Sequence, residues 1–325
     1  MSLAVQLEDF ESLETEWQRL LPKTAANTIF ITPLWQKLWW QHFGQDANLH
    51  ILSVRQDEEL IGIAPLMLTK GVLSFLGDTD LFDYHDFLVK NGKEVEFYDV
   101  LCEYLIELDW HTIELKSLRE SSVALERLKT LADQKGFKTE IVEEDVSPFV
   151  VLTPTWDEYQ ASMRKKNRHE LRRKTRRLEA GGNVNQYSCG DPATIGECMP
   201  DFFRLMRASS PDKDGFLTEE RELFFNDMAK RLAEEGIFKL FFMEVDSKRV
   251  ASCIAFDYGD AYLLYNSGYD PEYSALSVGL LNKAFCLREA LEAGKGTFDF
   301  LRGTERYKYD LGGQNQIVYQ MTIKR

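Results

Sequence analysis

A chain of 325 residues with a formal net charge of −14 is long for one core and suits two domains. Its 44% hydrophobic and 28% charged residues are ordinary for a globular protein, and no stretch approaches the roughly 18 apolar residues of a membrane span. The overall acidity argues against a broadly basic nucleic-acid binder.

The opening segment, MSLAVQLEDFESLETEW, is acidic where a secretory signal would be basic, so a cytoplasmic protein is expected. Residues 8–21 place Phe10, Leu13, Trp17, Leu20 and Leu21 at helical spacing before Pro22. Pro33 opens a second helix over 33–43. Strands are predicted at 49–55, 60–68 and 72–76, the first two as a hairpin around Asp57-Glu58-Glu59. A helix at 94–108, a strand at 111–115, a helix at 121–135 and strands at 138–143 and 149–152 complete the first half.

The second half repeats that grammar. A long helix is predicted from Thr155 to Ala180, with Thr155 and Glu158 at capping-box spacing and Gly181-Gly182 as the stop. Nine of the fourteen residues from Arg164 to Arg177 (RKKNRHELRRKTRR) are Lys or Arg, against one carboxylate, Glu170. Such a run inside an acidic chain calls for an anionic counterpart: the protein's own acidic half, a phosphorylated ligand, or nucleic acid. Helices follow at 193–208 and 218–235, then strands at 237–245, 249–257 and 261–268, a helix at 276–293 and a strand at 297–301. Both halves therefore read as helices, an antiparallel meander and a strand–helix–strand. The expected domains are 1–150 and 151–325.

Cys102, Cys189, Cys198, Cys253 and Cys286 form no CxxC, and the five histidines no HxxxH, so neither a disulfide framework nor a metal site is expected. Three places could carry chemistry. The strand ending at Gly268 feeds a small-residue loop and then Gly279 at a helix start, an arrangement that offers backbone N–H groups to an anion. Taken alone it is also an ordinary strand-to-helix connection. Glu305, Arg306, Tyr307, Lys308 and Tyr309 crowd one short segment: a carboxylate, a phenol and an ammonium could serve proton transfer and charge stabilisation, or simply pair in solvent. Asp78, Asp80, Asp83 and Asp86, with Tyr84 and His85, read either as an acceptor site that orients an ammonium or as an Asp-rich turn. The spacing excludes an EF-hand, because Phe82 and Val89 stand where oxygen ligands are required.

Several ordered segments resemble the CelD-type (cellulose-biosynthesis-associated) acetyltransferases of the GNAT superfamily. They are FLGDTDLFDYHDFLV (Phe75–Val89), SPFVVLTPTWDEYQASMRKKNRHELRRKTRRLEAGG, GYDPEYSALSVGLL and FDFLRGTERYKYDLGG. The Fem-type aminoacyl transferases are related and share the tyrosine–lysine ending. The resemblance implies an α/β (α+β) chain of two tandem GNAT-like domains, each a mixed, mostly antiparallel sheet flanked by helices. It implies an acyl-CoA donor, acetyl-CoA or another, with its pyrophosphate at Ser277, Val278 and Gly279. It also implies an acyl-transfer centre at Tyr307 and Lys308, with Glu305 or Asp299 as base and the strand backbone from Tyr265 to Gly268 polarising the thioester.

The acceptor implied is a small-molecule amine, such as an amino sugar or amino acid of envelope polysaccharide metabolism. Asp83, Tyr84 and Asp86 are candidates to hold it, and Arg172 and Arg176 candidates for a substrate phosphate. The Fem relatives imply an alternative, aminoacyl-tRNA-dependent transfer with the basic helix on tRNA phosphates. The loop departs from the family's [RQ]-x-x-G-x-[GA] form at Leu276 and Val278, and a third reading, a non-catalytic binding module, rests on that departure.

Overall fold

The computed structural model describes residues 2–325. The chain divides into two compact units, one running to Val146 and including Gln316–Arg325, the other Ser147–Asn315. The first unit holds, in chain order, β1 (Leu3–Glu8), α1 (Phe10–Leu20), α2 (Pro33–Phe43), β2 (Asn48–Gln56), β3 (Glu59–Thr69), β4 (Val72–Phe75), β5 (Leu88–Val89), α3 (Glu94–Glu107), β6 (Thr112–Arg119), α4 (Ala124–Gln134) and most of β7 (Lys138–Val151). The second holds α5 (Trp156–Ser162), α6 (Lys165–Glu179), β8 (Val184–Cys189), α7 (Ile195–Ser209), α8 (Pro211–Phe216), α9 (Glu219–Glu234), β9 (Phe238–Val245), β10 (Lys248–Tyr258), β11 (Ala261–Tyr269), α10 (Val278–Glu292), β12 (Thr297–Asp299) and α11 (Arg306–Asp310). The final strand, β13 (Gln314–Lys324), pairs antiparallel with β6 of the first unit.

Local chemistry explains the starts and turns. Asp9 caps α1 by accepting from Ser12 N–H at 2.8 Å, while Ser12 Oγ accepts from Asp9 N–H. Thr32 caps α2 and Pro33 occupies its first position. The β9–β10 hairpin turns at Asp246 and Ser247, both at positive φ, as the right-handed twist of the strands demands of a two-residue loop.

In the first unit β1, β2, β3 and β4 pair antiparallel in sequence, and β4 then pairs parallel with β6 over three residues. The second unit repeats this: β8, β9, β10 and β11 are antiparallel, and β11 pairs parallel with β12 over three residues. Helix α3 connects the parallel pair of the first unit, and α10 that of the second. Both units are therefore mixed, mostly antiparallel sheets flanked by helices, as expected. Leu52, Ile61, Leu66, Phe97 and Leu101 centre one core; Phe241, Val250, Cys253, Val278 and Leu287 centre the other.

Four expectations change. The helix expected from Thr155 to Ala180 is two, α5 and α6, because Met163 and Arg164 adopt extended backbone. One continuous helix would have aimed Asn167, Glu170 and Lys174 at the core. The break lets Tyr159 and Met163 bury from one helix and Leu171 and Leu178 from the other. The strands expected at 138–143 and 149–152 are one, β7. Elements β1, β8, α8, α11 and β13 carry too little periodicity to be read beforehand. The last ten residues, placed with the second domain by sequence, belong to the first unit through the β6–β13 ladder.

Candidate functional site

The second unit's site is built where β11 and β12 part. They pair only from Ala261 to Leu263 and from Thr297 to Asp299. Strand β11 continues to Tyr269, whereas the chain after Asp299 turns aside: Phe300 N–H donates to Pro148 O at 2.9 Å and Leu301 sits at φ +57°. A register shift opposite Ile254 and Ala255 leaves Tyr265 as an extra residue in β11. Such a bulge takes backbone polar groups out of the ladder. The Tyr265 ring itself packs on Phe225 and Phe256, with centroids 5.9 and 4.9 Å away.

Beyond β11 the chain passes through a 3₁₀ turn, Pro271–Leu276, to Ser277, whose backbone is left-handed at φ +60°. The first intrahelical bond of α10 runs from Leu281 N–H to Ser277 O at 3.0 Å, so the N–H groups of Val278, Gly279 and Leu280 precede the helix ladder. Val278 contributes only its backbone, because its side chain is fully buried. A Cβ at Gly279 would lie 3.0 Å from the Tyr269 ring, which would have to give by a few tenths of an ångström. Arg177 of α6 donates to Ser277 Oγ at 2.8 Å.

Three lysines converge on this opening. Lys308 is buried on α11. Its ammonium donates to Leu301 O at 2.9 Å and to Arg302 O, and pairs with Glu305 at 3.0 Å. Lys283, buried on α10, donates to Gly279 O at 3.1 Å and lies over the Tyr307 ring, 4.6 Å from its centroid. Lys213, half-buried on α8, donates to Ser267 O of β11. Burial, together with the charges of Lys283 and Lys308, lowers the Lys213 ammonium to about 8, with Glu305 opposing. Burial also lowers Lys283. The charges of Glu305 and Lys308 act on both Lys213 and Lys283, and Glu305 pairs directly with Lys308.

The sequence-predicted residues are thus partly gathered. Tyr307, Lys308 and Glu305 stand together with Lys213 and Lys283. Asp299 lies at the end of β12, where it accepts from Leu301 N–H at 2.8 Å and from Ser147 Oγ at 3.4 Å. Ser277, Val278 and Gly279 form the start of α10. Lys213 was missed because PDKDGF reads as a solvated turn. Lys283 had a signal: it is the one lysine of α10, four residues from Gly279 and from Leu287 and among mostly apolar residues in the first half of the helix.

Asp78 and Asp86 of the first unit are held by different partners. Asp78 builds the turn, accepting from Asp80 and Leu81 N–H at 2.9 Å and from Trp39 Nε1 at 3.0 Å. Asp83 is partly buried and Tyr84 buried, with Arg119 above the Tyr84 ring. Asp86 accepts from Ser122 Oγ at 2.9 Å and Phe87 N–H at 2.8 Å, and burial pushes it up to about 6. It borders a cavity of about 80 Å³ that Glu94, Tyr98 and Arg119 also line.

The basic run occupies α6. Among the described residues the one ion pair its bases make is Arg173 with Glu170 of the same helix. Arg172 donates to Gln160 Oε1 at 3.0 Å, and Arg172 and Arg176 face a groove of about 600 Å³ between α5, α6 and α10.

Residues 165–309 match the family described as the acetyltransferase (GNAT) domain. The matched residues lie within the second unit. No curated protein sequence matches the chain. Among solved structures, FemX is similar over 98% of this chain and 97% of its own, at 14% identity and a TM-score of 0.66. L-PGS from Bacillus licheniformis is similar over 98% and 93%, at 12% identity and a TM-score of 0.58. A tandem GNAT protein from the clavulanic acid biosynthesis pathway is similar over 98% of each chain, at 12% identity and a TM-score of 0.51. At these identities the likeness is one of fold, and the fold is a tandem GNAT-like arrangement. Within the GNAT domain the matched segment runs from the first residue of α6 through Tyr309, so it spans the β11–β12 opening, the start of α10 and all three lysines. Among the described residues no helix is long and apolar enough to cross a membrane.

Proposed function

We propose that the protein is an acyl-CoA-dependent N-acyltransferase of the CelD-type group, with acetyl-CoA or another acyl-CoA as donor. The acceptor is a small-molecule amine, an amino sugar or amino acid of envelope polysaccharide metabolism. The observation that carries this reading is the separation of β11 from β12 beyond Leu263 and Asp299, in line with an α10 N-terminus whose first N–H groups precede the helix ladder. A donor laid along the parted strands would bring its pyrophosphate to the helix start at Ser277, Val278 and Gly279.

In this reading the thioester carbonyl lies against the bulged β11 backbone between Tyr265 and Gly268, whose N–H groups stabilise the developing oxyanion. The amine attacks the carbonyl carbon, the C–S bond breaks and the thiolate departs. Lys213 takes the proton from the cationic nitrogen of the tetrahedral adduct, since a lysine lowered to about 8 is partly neutral at working pH. The Tyr307 phenol, beside the Lys283 ammonium, returns a proton to the thiolate. Lys308 and Glu305 hold the turn that carries Tyr307, because all three ammonium hydrogens are directed at that turn. Asp299 fixes the departure of the chain from β12.

Binding of radiolabelled acetyl-CoA, or a thermal shift on adding it, tests the donor. No response at millimolar acetyl-CoA rejects the reading. The uncompensated bases of α6 favour a second reading, aminoacyl-tRNA-dependent transfer. That reading requires tRNA affinity that falls steeply with salt.

A further inference from the structure

The cavity of about 80 Å³ in the first unit lies between the start of α3, the end of β6 and the segment around Asp86. Exposed Ala25 and Ser121 line it, so it opens to solvent, whereas Asp86 and Tyr98 in its wall are buried. Polar groups buried in such a wall are costly unless something pairs with them.

Two of them are left open. Asp86 takes both of its hydrogen bonds on Oδ1, from Ser122 Oγ at 2.9 Å and Phe87 N–H at 2.8 Å. Its second oxygen, Oδ2, accepts none among the described residues. Tyr98 is 1% exposed, and among the described residues its hydroxyl makes no hydrogen bond. Burial holds that phenol protonated, and the negative charges of Asp86 and Glu94 act in the same direction, so both carboxylates stand near it.

The opposite charge faces the same space. Arg119 lines the cavity, lies over the Tyr84 ring and gives one N–H to Ala25 O at 3.4 Å. Its charge reaches Asp86, yet among the described residues it forms no ion pair with Asp86 or with Glu94. Carboxylates and a guanidinium that line one cavity without touching suit a ligand that carries both signs. The volume limits its size. At roughly 10–15 Å³ for each water, the cavity takes about five to eight waters. That is the bulk of glycine, alanine or serine and too little for an amino sugar.

We propose that this cavity binds a small free α-amino acid, with its ammonium on Asp86 Oδ2, Glu94 and the Tyr98 oxygen and its carboxylate on Arg119. Two sources share this chemistry. One is the amine acceptor, which rests on the acyltransferase reading above; the other is an amino-acid effector, which does not.

Isothermal titration of the full chain with glycine, L-alanine, ethylamine and propionate tests it. The expected result is that glycine or alanine binds at least tenfold more tightly than ethylamine or propionate, each of which carries one of the two charges. Asp86→Asn and Arg119→Gln should each lose at least tenfold in amino-acid affinity. Tyr98→Phe should lose several-fold, and it removes a hydroxyl that bonds to nothing in the fold, so it keeps the test open if the other variants fold poorly. The proposal is overturned if neither amino acid binds at millimolar concentration, as a cavity that holds only water would behave. It is also overturned if ethylamine or propionate binds as tightly as alanine, or if Asp86→Asn and Tyr98→Phe bind as the wild type does. N-acetylalanine formed from acetyl-CoA, half-saturating at the titrated Kd and lost in Asp86→Asn, assigns the site to the acceptor. Alanine that binds without being acylated assigns it to an effector. Acetyl-CoA that binds where no amino acid does removes this proposal and leaves the acyltransferase reading intact. Alanine that binds where acetyl-CoA does not removes that reading and leaves the cavity.

Discussion

Arg177 donates to Ser277 Oγ at 2.8 Å, tying the basic helix to the one residue that opens α10 in a left-handed conformation. The contact makes the two residues a unit. Arg177→Ala and Ser277→Ala should each raise the Kd for acetyl-CoA about three- to tenfold, in keeping with a charge-assisted hydrogen bond in a solvent-exposed place. The double variant should be no worse than either single one, because both remove the same bond. Ser277→Gly should lose the same affinity while raising stability by about 1 kcal/mol, since glycine carries no left-handed penalty. Titration and urea unfolding of the four proteins check all three statements. Additive losses would mean the residues act separately.

Lys213 and Lys308 should behave differently when removed. Lys308→Ala leaves the Leu301 and Arg302 carbonyls and the left-handed Leu301 without their anchor, and should destabilise the second unit by about 2–4 kcal/mol. Its lost activity would then follow lost structure. Lys213→Met removes an ammonium that burial already disfavours, so stability should hold or rise while kcat falls at least a hundredfold. The wild-type rate should climb as pH rises through about 8, where Lys213 becomes neutral, and the variant should lose that limb. A K213M enzyme with an unchanged pH profile would exclude Lys213 as the proton acceptor.

The strand–loop–helix from Gly268 to Gly279 and the basic run were legible because each is local: a few adjacent residues fix the conformation or the charge. The segment YKYD was legible only as a motif. What commits Lys308 is a pair of carbonyls presented by the Leu301–Arg302 turn, and no spacing rule reports where a carbonyl points. The break at Met163 was illegible for a related reason. Every residue from Trp156 to Glu179 tolerates a helix, and the extended pair follows from which side chains the core accepts. Strand β13 was hidden because its partner β6 lies about two hundred residues earlier, and alternation in QNQIVYQMTIK is too weak to announce a ladder.

Gly268 tests how tightly the site strand is held from behind. A Cβ there would lie 2.3 Å from Met206 N and 2.4 Å from Leu205 C, both backbone atoms of α7. Backbone cannot rotate away as a side chain would, so Gly268→Ala must shift α7 or β11. The variant should lose about 3 kcal/mol in urea unfolding, the upper range for overpacking. Its KM for acetyl-CoA should rise as well, because β11 carries the proposed carbonyl site. A variant as stable as the wild type would show that α7 yields at little cost.

Asp86 gives the first unit a pH dependence whose sign follows from its burial. Its carboxyl is raised from the ordinary 3.8 to about 6, first by desolvation, with the Ser122 hydroxyl, Phe87 N–H and Arg119 acting in the opposite direction. Between those two values the folded chain holds a proton that the unfolded chain has released. Stability therefore falls as pH rises through that window, by about 3 kcal/mol in all, and stays lower above it. Asp86→Asn keeps an oxygen that accepts from Ser122 and Phe87 but carries no charge to bury. The variant should match the wild type near pH 4 and exceed it at pH 8, with unfolding midpoints in urea measured across the range as the readout. Equal slopes for the two proteins between pH 4 and 6 would mean that Asp86 stays ionised in the fold, and that the charge of Arg119 outweighs burial.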